Sequence, residues 1–351
     1  MESAALPVIR PLRLGELLDQ AIRMYRRNFL TFVGIIALVY IPYALLQILF
    51  TFLTASATQQ ARANPQSLFA SPVYWLSVVG TLVAALIYLV FVSGLGMAAL
   101  TQAISRNYLG QKTGILEAYQ QLGTSWVTLL ITLVLFAVVL IAAFIWVLVP
   151  CVGWLTGLGL LIFLVGVVGQ LIAPIVVIEK SDPLKSLARA WDLARRRFWW
   201  LLGFALVFYL FTALVVTGPT ALISYLIGIL IGQGTSAAAA STLPTLISSV
   251  AGSFLNLLIL PIQMTAWTLV YFDLRVRTEG FDLALLTMNV PESAAGDIAS
   301  LPVAAPPQQW LTGDDVGKFI VMTLVGIGVY ALFSAVLLFI GMSMAAFAGG
   351  L

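Results

Sequence analysis

Residues 12–54 read LRLGELLDQAIRMYRRN followed by FLTFVGIIALVYIPYALLQILFTFLT, and the join at Phe29 decides the fold. Before the join, Leu14, Leu17, Leu18, Ala21, Ile22, Tyr25 and Phe29 recur at steps of three and four. Glu16, Asp19, Arg23, Arg26 and Arg27 take the other faces. That spacing predicts an amphipathic helix lying in a membrane interface. After the join, residues 29–54 carry no charge and exceed the roughly 20 apolar residues a helix needs to cross the hydrocarbon core. An interfacial helix runs straight into a span.

Working outward, six more apolar stretches have the same character: 74–102, 124–149, 153–178, 198–218, 246–272 and 319–345. The whole chain of 351 residues is 61% hydrophobic and only 9% charged, where a soluble domain carries about 25% charge. The expected fold is therefore all-α, a polytopic helical membrane protein. Pro219 follows Gly218 at the end of the fifth stretch, so residues 220–232 read either as a kinked continuation or as a short interfacial or re-entrant helix. Residues 1–28 hold eight charged side chains and no apolar core, which argues against a cleavable signal peptide.

The charges sort by side. Arg10 to Arg27, Arg106 and Lys112, Lys180 to Arg197, and Arg275, Arg277 and Lys318 fall in alternate connections, leaving Arg62 alone opposite among 17 basic residues. An excess of Lys and Arg marks the cytoplasmic face. The N-terminus is thus expected inside and the C-terminus outside, and all 14 acidic residues share the inner side.

The interfacial pattern returns at 184–200, where Leu184, Leu187, Ala188, Trp191, Ala194 and Phe198 oppose Lys185, Arg189, Asp192, Arg195 and Arg196. An offset of 169 residues superposes Leu18 on Leu187, Arg26–Arg27 on Arg195–Arg196 and Phe29 on Phe198. Ile115, Ala118, Leu122 and Trp126 make a fainter third copy. The expectation is three units of interfacial helix, span and span within residues 1–284. A flexible Pro/Ala-rich cytoplasmic linker at 285–317 and an additional seventh helix at 318–351 complete the chain.

The chemistry available is narrow. With no histidine and a single cysteine, there is no imidazole catalysis, no His-ligated zinc and no disulfide within the chain. Catalytic residues, metal sites and cofactors are expected to be none, and the chain is read as a non-enzyme. Cys151, beside Pro150, reads as a buried small hydrophobe. Polar groups inside the spans are few: Gln47, Gln170, Asn256 and Gln263, read as interhelical hydrogen-bonding groups or as the lining of a lipid or solute cavity. Gly153–Gly157 and Gly228–Gly232 have the spacing of close helix contacts.

The densest polar segment is Tyr271 to Asp282, where the sixth span emerges. Asp273, Arg277 and Glu279 suit a salt-bridged cap ended by Gly280. Two roles are open: a structural tie to the basic interfacial helices, or capture of an anionic headgroup or partner by Arg275 and Arg277 with Arg195, Arg196 and Arg197. Anionic membrane lipids are the expected partners, with another membrane protein a candidate for the C-terminal helix. Homo-oligomerisation is open, and interleaved acids argue against nucleic acid.

Leu12 to Asp19 followed by Tyr25-Arg26-Arg27-Asn28-Phe29, and the closing run Tyr271 to Leu283, resemble the end motifs of a bacterial family labelled "glycerophosphoryl diester phosphodiesterase membrane domain". Tyr108-Leu109-Gly110, Glu117-Ala118-Tyr119 and Ser186 to Trp191 fit the same pattern, so the resemblance covers about residues 9–284. It implies a multi-pass protein of the bacterial inner membrane. It does not imply phosphodiester hydrolysis, which in the enzymes that lend the name belongs to a separate soluble barrel with acidic and histidine residues. The family's members carry six spans, so the extra seventh helix is a departure. The first functional expectation is a scaffold or accessory subunit; the alternative is a transporter or binder of lipid or small molecule.

Overall fold

The structure, a computed structural model, describes residues 13–63, 72–232, 237–280 and 312–328, with residue 331; residues 53–63, 73, 228–232 and 237–243 are described by backbone alone. Among the described residues it is all-α. The helices are α1 Leu14–Arg27, α2 Phe29–Ala63, α3 Pro72–Ile87, α4 Met97–Tyr108, α5 Ile115–Gln120, α6 Ser125–Val147, α7 Val152–Phe163, α8 Gly169–Glu179, α9 Pro183–Arg196, α10 Phe198–Thr212, α11 Gly218–Gly232 and α12 Ala237–Glu279. A further helix, α13, occupies 313–328.

Six segments among the described residues are long and apolar enough to cross a bilayer: Phe29–Phe52, Tyr74–Tyr108, Ser125–Val147, Val152–Glu179, Phe198–Ile227 and Pro244–Glu279. Their outer faces carry exposed large apolar side chains such as Leu30, Leu45, Val138, Leu206 and Leu214. Spread over every span, that surface suits lipid rather than water. The seventh expected span enters the described residues only through 328, and the linker expected at 285–317 lies outside them up to 311. Its last residues differ from expectation in being helical, because Thr312 and Asp315 cap α13 reciprocally: the Thr312 amide and hydroxyl both donate to the Asp315 carboxylate, at 2.9 and 2.7 Å.

Several spans outrun their apolar stretches. The second continues to Tyr108 because its polar end, Ala98 to Ser105, is buried by protein instead of lipid except for Gln102. Residues 220–232 are neither re-entrant nor a separate interfacial helix: α10 passes through a π-helical turn, Ala213–Thr217, into α11. The wider turn relieves the clash between the Pro219 ring and the preceding carbonyls, so the helix runs on. Similar π-helical turns, Tyr88–Gly96 and Leu164–Val168, interrupt the second and fourth spans.

The short helices stand before the odd-numbered spans. α1 and α9 are both 14 residues long, and their starts, their ends and the starts of α2 and α10 keep the offset of 169. Glu16 caps α1 by accepting the Arg13 amide at 3.1 Å, and Glu117 caps α5 through Gly114 at 3.2 Å. α5 is only six residues, cut short by Gly114 at its start and by the turn at Gly123, which has φ +53°. α1 buries Leu17, Ala21 and Tyr25, and the Tyr25 hydroxyl donates to Leu258 O of α12 at 3.0 Å.

Cys151 corrects an expectation. It is exposed, with φ +63°, in the turn that joins α6 to α7. The turn is tight because Gly153 and Gly157 press against Trp146 and Val147, leaving no room for a Cβ at either; the strain falls on the residue between. The packing of Gly228 and Gly232 lies outside the described side chains.

Candidate functional site

The polar residues singled out in the sequence fall into two places. The first lies where the ends of α8 and α12 meet α9. Residues 264–276 of α12 form an unbroken buried run, and Leu171 to Glu179 of α8 form another, so the Tyr271 segment is core rather than rim. Charges buried there must be paired and hydrogen-bonded. Glu179 accepts the Arg189 Nε at 3.1 Å and the Tyr271 hydroxyl at 2.8 Å. Arg189 also meets Glu279, which accepts Arg275 Nε at 3.2 Å, and Arg275 Nη1 reaches the Tyr271 oxygen at 3.4 Å. The result is a closed circuit of two arginines, two carboxylates and one phenol, with formal charges that cancel.

Two satellites flank the circuit. Asp273 accepts Arg277 Nε at 2.9 Å and lies 3.6 Å from Arg197, whose guanidinium sits over Trp200 at 4.9 Å. Arg195 lies 3.2 Å from Asp315, which also faces Lys318 at 3.7 Å; Arg196 pairs with Asp192 on its own helix at 2.9 Å. Burial followed by the like charge of Arg277 lowers the Arg197 pKa from its ordinary value. Asp315 is held below the usual carboxylate value: burial alone would raise it, but the Thr312 hydroxyl and amide, then Arg195 and Lys318, outweigh that.

Arg275 is fully buried among partners from its own chain, and Arg195, Arg196, Arg197 and Arg277 each face a carboxylate. Arg195 joins α9 to α13 and Arg197 joins the end of α9 to α12, while Arg196, Arg275 and Arg277 pair within their own helices and Arg189 makes the link to α8. Arg275, one of the residues expected to meet a headgroup, is enclosed by protein. Sequence reading missed Glu179, Arg189 and Asp315 as members. Glu179 ends the fourth span and Glu279 the sixth, and one acid at each span end facing a basic helix was the available signal.

The second place joins two of the intramembrane amides. Gln263 Nε2 donates to Gln170 Oε1 at 3.2 Å across α12 and α8. Both line a groove of about 590 Å³ between the fourth, fifth and sixth spans, with Val165, Gly166, Leu206 and Tyr209 on its walls and Trp267 at its back. Val165, Leu206 and Tyr209 are exposed, so the groove opens on the lipid-facing surface. A Cβ at Gly166 would meet nothing within 4 Å. The π-helical turn Leu164–Val168 supplies part of this wall, as such turns do where a helix face must be re-aimed. Asn256 lies apart, its side-chain amide donating to Gly252 O at 2.9 Å, and at Gln47 it is the backbone carbonyl that accepts the Thr51 hydroxyl, at 2.8 Å. Neither reaches the groove.

Among the described residues, no group of three or more His, Cys, Asp or Glu side chains is placed to hold a metal ion. Comparison with protein-family models, with curated protein sequences and with solved structures returns no match for the chain. The fold and the two sites define an all-α protein with several long apolar helices and membrane-protein character.

Proposed function

We propose that the chain is a multi-pass membrane protein that binds an amphipathic lipid laterally, in the groove between its fourth, fifth and sixth spans. The observation that carries this reading is the groove itself: apolar walls open to the bilayer, with the Gln170–Gln263 pair inside. Its volume lies within the roughly 300–1,000 Å³ of ligand sites, whose usual make-up is apolar with a few fixed polar groups. Apolar walls take an acyl chain. The primary amides, which use one N–H and one carbonyl on each other, offer further donors and acceptors to an ester or hydroxyl.

The scaffold or accessory-subunit reading needs a face offered to another polypeptide. The described part of α13 is instead spent on the chain's own α7 and α9, through Gly159, Phe163, Trp191 and Arg195. That supports the lipid reading over it. The finer architecture belongs to the same proposal: three units of interfacial helix and two spans, the charged end and N-terminus in the cytoplasm of a bacterial cell, and the family resemblance given above. The equal lengths and constant offset of α1 and α9 support the repeat, and the one-sided arginines support the orientation.

The test is occlusion. Gly166→Trp fills the groove from open space, and Gly166→Ala adds only a methyl group. Native mass spectrometry of protein released from bilayer nanodiscs should find a retained lipid on the native chain and on Gly166→Ala, and at least about tenfold less on Gly166→Trp. Equal retention by all three contradicts the reading.

A further inference from the structure

A second cavity lies at the charged end of the bundle, built from two segments distant in sequence. The latter half of α1 forms one wall; the end of α4 and the turn after it form the other. Its volume is about 290 Å³, and among the described residues three cations line it, Arg23, Arg27 and Lys112, with Asn28 and Asn107 beside them and no acidic side chain.

This arrangement is the reverse of the buried circuit. There every arginine faces a carboxylate; among the described residues, none lies within ion-pair distance of Arg23, Arg27 or Lys112. Nor are these side chains needed to cap the helix ends they stand on. At the end of α4, the Gln111 amide donates to Arg106 O at 2.8 Å and the Gly110 amide to Asn107 O at 3.2 Å, with Gly110 in the left-handed region at φ +90°. At the end of α1, the Asn28 amide donates to Met24 O at 3.1 Å, and Asn28 O accepts Phe32 N–H at 2.9 Å as α2 begins. Asn28 and Asn107 are themselves fixed, each side-chain amide donating to a carbonyl of its own helix, Met24 O at 3.1 Å and Ala103 O at 2.9 Å. Arg23 and Arg27 are one helical turn apart and line the same cavity.

We propose that this cavity binds a phosphate-bearing anion, with Arg23 and Arg27 as forked donors and Lys112 as the third positive charge. Planar forks suit the tetrahedral oxygens of a phosphate, and three like charges held around one cavity repel until an anion enters. Basic pockets between helices at a membrane surface suit phosphorylated headgroups, and the same chemistry suits free phosphate. The site is remote in sequence and chemistry from the lipid groove and stands independently of it.

The experiment uses the full chain in phosphatidylcholine nanodiscs with and without phosphatidic acid, and a second arm with inorganic phosphate. The native chain should retain phosphatidic acid over phosphatidylcholine. The triple variant Arg23→Gln, Arg27→Gln, Lys112→Gln should lose that preference by about tenfold or more. Arg26→Gln, an exposed arginine of the same helix outside the cavity, should stay within about twofold. All three substituted positions are exposed, and an unchanged unfolding temperature shows that the fold is kept. If inorganic phosphate binds with the same dependence on the three residues while phosphatidic acid shows no preference, the site stands and its ligand is soluble. If the triple variant holds both probes as the native chain does, or Arg26→Gln loses as much, the proposal is overturned.

Discussion

Arg275 shows how far a charge can be carried into a membrane protein when its partners come with it. Its side chain is fully buried, yet Glu279 and the Tyr271 hydroxyl satisfy it, and Arg189 closes the circuit through Glu179 and Glu279. Removing one partner from a buried ion pair costs about 3–5 kcal/mol, since the other is left unbalanced. Arg275→Gln should therefore lower the unfolding temperature in detergent sharply. Replacing Arg275 and Glu279 together with apolar residues should cost less than that single change, because Arg189 and Glu179 still balance each other; a double-mutant cycle on thermal unfolding checks this. Arg277→Gln should cost less again, since Arg277 is part-exposed and Asp273 keeps Arg197 nearby. The polar cluster around Tyr271 was legible as a cluster from its residue types. Its burial was not, because Glu179 and Arg189, which close it, come from segments about ninety residues away.

At the scale of elements, α13 is held by two different contacts. Gly159 lets it approach: the Gly159 amide donates to the Thr323 hydroxyl at 2.8 Å, and a Cβ at Gly159 would collide with Phe319 O. Phe319 then packs among Phe163, Trp191 and Phe198, with ring centroids about 6 Å apart. Gly159→Leu should undock the helix, seen as lost hydrogen-exchange protection over 313–328 with α8 and α12 still protected. The other contact titrates. A carboxyl whose folded pKa lies below its unfolded value adds stability at higher pH and loses it as the pH falls through the folded value. Asp315 is such a group, so α13 should stay docked near neutral pH and loosen below about pH 4, as read by the same exchange measurement. Asp315→Asn should weaken docking at neutral pH and abolish that pH dependence. Periodicity made α1 and α9 legible, since their apolar stripes are local. The helical start at 313 was hidden by the composition of the linker stretch before it, and the Thr312–Asp315 cap was the signal passed over.

For the whole molecule, hydropathy marked seven apolar stretches, six of which are helices long enough to cross a bilayer among the described residues, and it left several of their ends short. Transfer scales see lipid, whereas the ends of the second and sixth spans are buried by protein. The groove was not legible either: Gln170 and Gln263 were visible as polar residues in spans, but nothing local says that they face each other or that Gly166 borders open space. The account rests on the arginine-rich ends of all these helices sharing one side of the bilayer, with the α6–α7 turn on the other. Cys151 reports this directly, being exposed in that turn and the one cysteine of the chain. In intact cells a membrane-impermeant maleimide should label native Cys151, and should label Arg26→Cys and Lys185→Cys in a Cys151→Ser background only after the membrane is opened. Labelling of Arg26→Cys and Cys151 from the same face would contradict the arrangement.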